Sequence, residues 1–139
     1  MRSQASSALL AAALLLTVLP APAPAATTFA VDPGHSDISF QIRHLMSKVR
    51  GVFRDVSGTI VRDDEDPAKS SVELIIQAAS IDTRNDKRDN DLRGENFFDV
   101  AKFPVITFNS TKVEKVSDSE YRVTGQFSMH GVSKEIVLP

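Results

Sequence analysis

The chain has 139 residues, a formal net charge of −2 and no cysteine, and 42% of its residues are hydrophobic. The absence of cysteine excludes disulfide bonds, and acidic and basic residues are mixed without a basic block, which argues against nucleic-acid binding. All eight phenylalanines and the single tyrosine follow residue 26, so we expect a hydrophobic core in that part of the chain.

The first 25 residues have the pattern of a secretory signal peptide. Arg2 precedes a mostly apolar run from Ala8 to Leu19, and alanines and prolines continue to Ala25. The run is shorter than the roughly 20 residues of a transmembrane helix, whereas a charged start, a short apolar run and small residues are typical of a cleaved signal. We expect a single soluble domain over residues 26–139, a periplasmic or secreted location, and no integral membrane segment.

Period-two alternation of apolar and polar residues predicts about seven antiparallel β-strands after residue 26. Asp32-Pro33-Gly34 is one of the turn signals that separate them. A bulge or bend is predicted near Arg54, where the alternation changes phase, and a helical turn is predicted over residues 44–50. The strands are marked, in chain order, by Phe29 and Val31; Ile38, Phe40 and Ile42; Val56 and Ile60; Val72, Leu74 and Ile76; Ile106 and Phe108; Tyr121, Val123, Phe127 and Met129; and Ile136 and Leu138.

A charged segment interrupts the alternation and predicts a short helical insertion around residues 84–98. Thr83 is predicted to cap its N-terminus, and Gly94 is suited to end the helix. Asp89 and Arg93 are four residues apart, in the order that favours an ion pair along a helix. The insertion therefore predicts a helix lying across one end of a β-structure.

A series of spaced motifs runs through the chain after residue 26. Its segments are Val31-Asp32-Pro33, His35-Ser36, Phe40, Ile42, His44-Leu45, Gly51, Phe53, Gly58, Ile60, Ala79-Ser80-Ile81-Asp82-Thr83, Arg88-Asp89, Leu92-Arg93, Phe97-Phe98-Asp99-Val100, Phe103-Pro104, Phe108, Gly125, Phe127 and Gly131-Val132-Ser133-Lys134. Together these segments resemble the YceI family of exported proteins, also called the YceI-like or polyisoprenoid-binding domain. The resemblance covers essentially all of the chain after residue 26.

The resemblance implies an all-β fold: an extended, lipocalin-like antiparallel β-barrel around a long apolar cavity. It also implies an exported protein that binds an isoprenoid or another long-chain lipid, such as a prenyl quinone or a polyprenyl phosphate, and carries or sequesters it. Domains of this family continue beyond the strand at 131–134, whereas this sequence stops at Pro139. We therefore expect the domain over residues 26–139 to lack its last strand or strands.

Apolar side chains on the strand faces and in the aromatic segment are the candidates for contact with a bound lipid. Alternation alone favours a filled core, whereas the resemblance favours the lining of a cavity. The candidates are Ile38, Phe40, Ile42, Phe53, Leu74, Ile76, Phe97, Phe98, Phe103, Phe108 and Phe127.

Four polar residues, His35, His44, Arg88 and Arg93, are candidates for contacts with a lipid head group. An arginine can pair with a phosphate, and a histidine can donate to a quinone carbonyl. For both arginines, the neighbouring aspartates favour an ion pair that ties the helix to the barrel over a head-group contact. The alternative for His35 is a local turn contact.

No metal, other cofactor or catalytic residue is predicted. The three histidines have no metal-binding spacing, and the chain has no cysteine nucleophile and no G-x-S-x-G elbow. The other functional hypotheses are a ligand-free periplasmic interaction or stress-response module and, third, an enzyme acting on a lipid or quinone. Homodimerisation is left open.

Overall fold

The computed structural model describes residues 26–36, 38–44 and 47–139, with the backbone alone for His44 and Ser47. The predicted signal peptide, residues 1–25, lies outside this range. Within the described residues there are nine strands and one α-helix, α1 (Asp86–Arg93), and no helix is long and apolar enough to span a bilayer. The strands are β1 (Thr27–Ala30), β2 (Ile38–His44), β3 (Ser47–Phe53), β4 (Val56–Arg62), β5 (Ser71–Gln77), β6 (Ile81–Asp82), β7 (Val105–Lys115), β8 (Tyr121–Met129) and β9 (Val132–Leu138).

The described strands form two antiparallel sheets. One has six strands in the order β1-β4-β5-β7-β8-β9, and the other has three in the order β2-β3-β6. The chain passes between the sheets at Arg54–Asp55 and again at Ala78–Ser80. The Arg54 amide donates to the Ser80 carbonyl at 3.1 Å, and the Gln77 amide donates to the Asp55 carbonyl at 2.9 Å, so these two crossings hold each other in place.

The three-stranded sheet decides two sequence predictions. The predicted bulge or bend near Arg54 is a bend, because the chain leaves β3 there and enters β4 in the other sheet. The helical turn predicted over 44–50 is wrong for the described residues, because β3 starts at Ser47 and pairs with β2 from His44↔Ser47 to Ile38↔Phe53. Ser47 and Gly51 stand where the alternation of β3 calls for apolar residues, which weakens its strand signal.

A hydrophobic core joins the two sheets. Ile81 and Ile106 are almost completely buried. Glycine lets aromatic rings cross strands at close range, because a Cβ on Gly51 would lie 2.3 Å from the Phe40 ring and one on Gly125 would lie 2.6 Å from the Phe108 ring. The buried core cluster consists of Phe53, Val56, Ile76, Ala78, Ile81 and Ile106.

The predicted class, mostly β with one short helix, is confirmed, whereas closure of the strands into a barrel stays a prediction. The helix occupies only part of the predicted 84–98 segment. It is capped by Asn85, whose side chain accepts from the Arg88 amide, so the prediction of Thr83 as the cap is wrong. Gly94 ends the helix as expected.

Candidate functional site

A cavity of about 340 Å³ lies between the three-stranded sheet and α1; we call it the helix cavity. Its walls are largely apolar, and two charged residues of α1 stand at its border. This combination suits an elongated apolar ligand with a polar end. The lining residues are Phe40, Ile42, Val49, Arg88, Asp91, Leu92 and Phe97.

Alternation along β2 and β3 builds the sheet side of the helix cavity. Phe40 and Ile42 lie on one face of β2, and Val49 lies on the same face of β3, where it pairs with Ile42. Gly51 faces Phe40 in the same register, and its missing side chain leaves room for the ring. The apolar wall is therefore a direct consequence of the strand period and of glycine at position 51.

A second apolar cavity, of about 350 Å³, lies against the six-stranded sheet; we call it the sheet cavity. Leu74 pairs with Phe108, and Phe108 pairs with Phe127, so a row of large side chains crosses β5, β7 and β8. Ile38 of β2 closes the cavity from the other sheet. The lining residues are Ile38, Ser39, Leu74, Ile76, Phe108, Phe127, Ile136 and Leu138.

An aromatic cluster lies beside the two cavities. The Phe53 ring is 5.6 Å from Phe40 and 5.7 Å from Phe98, and it meets Phe98 edge to face. Phe53 is buried in the core cluster, whereas Phe98 is partly buried and packs against that cluster. These two predicted contact residues therefore stabilise the walls and do not line either cavity.

Polar contacts to the backbone fix the position of α1. The buried Asp89 carboxylate accepts from the Thr83 amide at 2.9 Å and from the Thr83 hydroxyl at 2.5 Å. Arg93 donates to the carbonyls of Ala79 at 2.8 Å and Ile81 at 2.9 Å. The predicted ion pair between Asp89 and Arg93 is therefore wrong. Asp89 binds Thr83 and Arg93 binds the backbone at Ala79 and Ile81, and these contacts tie the helix to the sheet.

Arg88 has one structural contact and one place in the candidate site. Its guanidinium donates to the hydroxyl of Thr83 at 2.7 Å and to the carbonyl of Thr83 at 2.8 Å. The same side chain lines the helix cavity, together with Asp91. Of the four predicted head-group residues, Arg88 is the one that borders an apolar cavity within the described side chains.

We expect Asp89→Ala to lower the free energy of unfolding by about 2–3 kcal/mol, because the buried amide and hydroxyl of Thr83 lose their acceptor. Equilibrium urea unfolding measures the change. Asp91→Ala removes a carboxylate from the exposed side of the same helix and should cost less than about 0.5 kcal/mol. Equal losses in the two variants would contradict the anchoring role of Asp89.

The remaining predicted contact residues lie elsewhere. His35 is in the exposed turn after Asp32, with its Nδ1 2.6 Å from the Asp32 carboxylate. The His44 side chain lies outside the described residues. Phe103 packs against Gly131 and lies 4.7 Å from the His130 ring, near the β8–β9 turn. Within the described part of the chain, no three acidic or histidine side chains cluster as a metal site would require.

The outer side of the three-stranded sheet carries a polar corner. Arg54 donates twice to one oxygen of Asp82, at 2.9 and 2.7 Å, and the Arg84 amide donates to the other oxygen at 2.8 Å. The Arg84 amide first and the Arg54 side chain second hold the pKa of Asp82 below its ordinary value. The stabilisation that these contacts give to ionised Asp82 is therefore fully present above the pKa of Asp82 in the unfolded chain. It is lost as the pH falls through the lowered pKa of Asp82 in the folded protein.

We expect Arg54→Gln to raise the pKa of Asp82 toward its ordinary value. The value should stay partly lowered, because the Arg84 amide remains in place. A carboxyl NMR titration of both proteins measures the shift. An Asp82 that titrates alike in the wild type and the variant would contradict the assigned contribution of Arg54.

The YceI-like domain family model matches residues 29–139. The chain belongs to the YceI-like family. A UPF0312 protein of Yersinia pestis is 43% identical over 105 residues, which are 75% of this chain and 54% of the relative. A UPF0312 protein of Photorhabdus laumondii is 38% identical over 133 residues, covering 94% of this chain and 67% of the relative. The chain thus spans about half the length of the Yersinia relative that it matches.

Solved structures extend the comparison. The Campylobacter jejuni YceI protein is 38% identical, with a TM-score of 0.62 over 77% of this chain and 63% of that chain. Burkholderia cenocepacia BcnA, at 24% identity and a TM-score of 0.73, shares the fold over 77% of this chain and 67% of its own. A polyisoprenoid-binding domain from Saccharophagus degradans, at 20% identity and a TM-score of 0.53, covers 82% of this chain and 62% of its own.

Sequence reasoning about this YceI-like chain missed several lining residues. Val49 lies in the segment that was predicted as a helical turn, so it was not assigned to a strand face. Leu92 is the single large apolar residue of a charged helix, and this feature of the sequence could have identified it as a residue of the apolar site. Ile136 and Leu138 were predicted as a strand, but nothing in the sequence placed them opposite Ile38.

Proposed function

We propose that this protein binds an isoprenoid or another long-chain lipid in an apolar interior and carries or sequesters it. The observation that supports the proposal is the pair of apolar cavities, because side chains of β2 line both of them. Phe40 and Ile42 line the helix cavity, and Ile38 lines the sheet cavity. Each volume falls within the range of about 300–1,000 Å³ that is typical of small-molecule sites.

Apolar burial can supply the affinity for such a ligand. Each Å² of apolar surface removed from water contributes about 25 cal/mol to the binding free energy. Binding of a prenyl chain therefore becomes more favourable with every isoprene unit that enters the cavity. Polar residues are then needed only at the mouth. Arg88 and Asp91 border the helix cavity, and we propose Arg88 as the contact for a phosphate or quinone head group.

Family membership supports the proposal. The Saccharophagus degradans neighbour is described as a polyisoprenoid-binding domain, and we extend that ligand class to this chain as part of the proposal. We also propose closure of the strands into a lipocalin-like barrel, export directed by residues 1–25 to the periplasm or beyond, and a binding role without catalysis.

Lipid extraction tests the proposal. The protein is purified from its own host without detergent, extracted with organic solvent, and the extract is analysed by mass spectrometry. We expect a prenyl quinone or polyprenyl phosphate in near-stoichiometric amount. Absence of such a lipid, together with no saturable binding of either class by the purified protein, would overturn the proposal.

An interaction module is the second candidate function, and the exposure of Phe97 favours it. Phe97 is 56% exposed and Ile42 is 50% exposed, and both border the helix cavity, so they form an apolar patch of the kind that a partner protein covers. A Phe97→Ser variant should keep lipid binding within about twofold if Phe97 serves a protein partner, and weaken it if the ring contacts the lipid. Titration with a prenyl quinone separates the two functions.

A further inference from the structure

The outer face of the three-stranded sheet is strongly basic. Phe40, Gly51 and Val49 point to the inner side, so alternation directs the intervening residues of β2 and β3 outward. Arg54 and Arg84 continue this surface at the sheet edge. We call the set the basic face; it consists of Arg43, Lys48, Arg50, Arg54 and Arg84.

The charges of the basic face are poorly balanced by the protein itself. Arg43 lies directly opposite Lys48 in the antiparallel register, an arrangement of like charges that destabilises a strand pair. Arg50 lies opposite the neutral Gln41. Within the described residues, no carboxylate forms a salt bridge with Arg43, Lys48 or Arg50.

A recess of about 300 Å³ lies within the basic face. Three arginines, Arg50, Arg54 and Arg84, line it together with a single acidic residue, Asp82. Asp82 is already engaged by Arg54 and by the Arg84 amide. The recess therefore keeps an excess of positive charge in a chain whose overall formal charge is −2.

We propose that the basic face docks on the phosphate head groups of an anionic bilayer. Arginine pairs with phosphate oxygens in a fork geometry, and surface cations are attracted to anionic leaflets individually. The inner side of the same sheet forms one wall of the helix cavity, so docking would bring that cavity to within one sheet thickness of a lipid source. The supply of lipid to the helix cavity rests on the proposed function, whereas docking rests on the charges of the basic face alone.

Vesicle binding tests docking. The wild-type protein, freed of bound lipid by extraction and refolding, is sedimented with phosphatidylcholine vesicles with or without phosphatidylglycerol. We expect binding only to the phosphatidylglycerol vesicles and its loss at high salt. The Arg50→Gln/Arg84→Gln variant should bind about 30-fold more weakly, because each surface cation contributes about fivefold.

A matched variant controls for net charge. Lys115→Gln/Arg122→Gln removes the same charge from exposed residues of β7 and β8 and should bind the vesicles within about twofold of the wild type. Equal losses in the two variants would overturn the proposal. So would wild-type binding that does not depend on phosphatidylglycerol, a measurement that requires no variant to fold.

Two further outcomes identify the wrong partner. Saturable binding of glycerol phosphate without any vesicle binding would replace docking by a small-anion site, and tighter binding to single-stranded DNA than to vesicles would indicate nucleic acid; either result overturns the proposal. Uptake of a prenyl quinone in the absence of vesicles is measured separately. Its failure alongside intact vesicle binding would count against the proposed function and leave docking supported.

Discussion

Phe108→Ala should lower the free energy of unfolding by about 3–5 kcal/mol, the range for removal of a buried phenylalanine ring. The Phe108 side chain is only 2% exposed. It lies between Leu74 and Phe127 in the sheet register, and its ring approaches Gly125 too closely for any larger residue at that position. Equilibrium urea unfolding, followed by circular dichroism, measures the loss.

Phe97→Ala is the matched control, because it removes the same side chain from a position that is 56% exposed. We expect it to cost less than about 1 kcal/mol. If Phe108→Ala cost as little as Phe97→Ala, the ring would not be part of a packed core. Phe108 would then line the sheet cavity without contributing to the packed core.

Ile42→Asp should weaken lipid binding by at least about 30-fold. An apolar chain that fills the helix cavity would remove the hydrating water from the new carboxylate, and this desolvation opposes binding. Ile42 is 50% exposed, so the free protein can keep the new charge hydrated and remain folded. Titration with a prenyl quinone, with free ligand removed by gel filtration, measures the dissociation constant.

Ile75→Asp provides the control for this second variant. Ile75 is 44% exposed and lies on β5 next to Leu74 and Ile76, with its side chain on the opposite face of the sheet from theirs. We expect its lipid binding to stay within about twofold of the wild type. Unchanged binding by Ile42→Asp, with both variants folded, would remove the helix cavity from the proposed site.

The strand positions of the six-stranded sheet could be predicted because alternation there is regular. In β5 and β8, for example, large apolar residues alternate with polar ones over almost the whole strand. Strand β3 could not be found in this way, since Ser47 and Gly51 interrupt the apolar half of its alternation. Its existence depends on pairing with β2 and on burial of Phe53, which are tertiary effects.

The candidate site could be predicted only in part, for a similar reason. Phe40 and Ile42 were recognisable as lining residues from the strand period together with the family resemblance. Arg93 was a predicted head-group contact, but its guanidinium is bound to two backbone carbonyls of the segment around β6. A sequence indicates that an arginine is present, but the fold decides which acceptors lie within its reach.

The basic face illustrates what a linear reading misses. Its five cations are spread from Arg43 to Arg84, so no basic block is present in the sequence. Antiparallel pairing of β2 with β3 and the return of the chain at β6 bring them onto one surface. The charge pattern that suggests a membrane partner is therefore a product of sheet topology.

Direct titration of the lipid-free protein with a prenyl quinone and with a polyprenyl phosphate tests the lipid-binding proposal most directly. We expect saturable binding of at least one of the two with a stoichiometry near one, competition between them, and weakening by Ile42→Asp but not by Ile75→Asp. Binding that does not saturate for either ligand, or that is unaffected by Ile42→Asp, would contradict it.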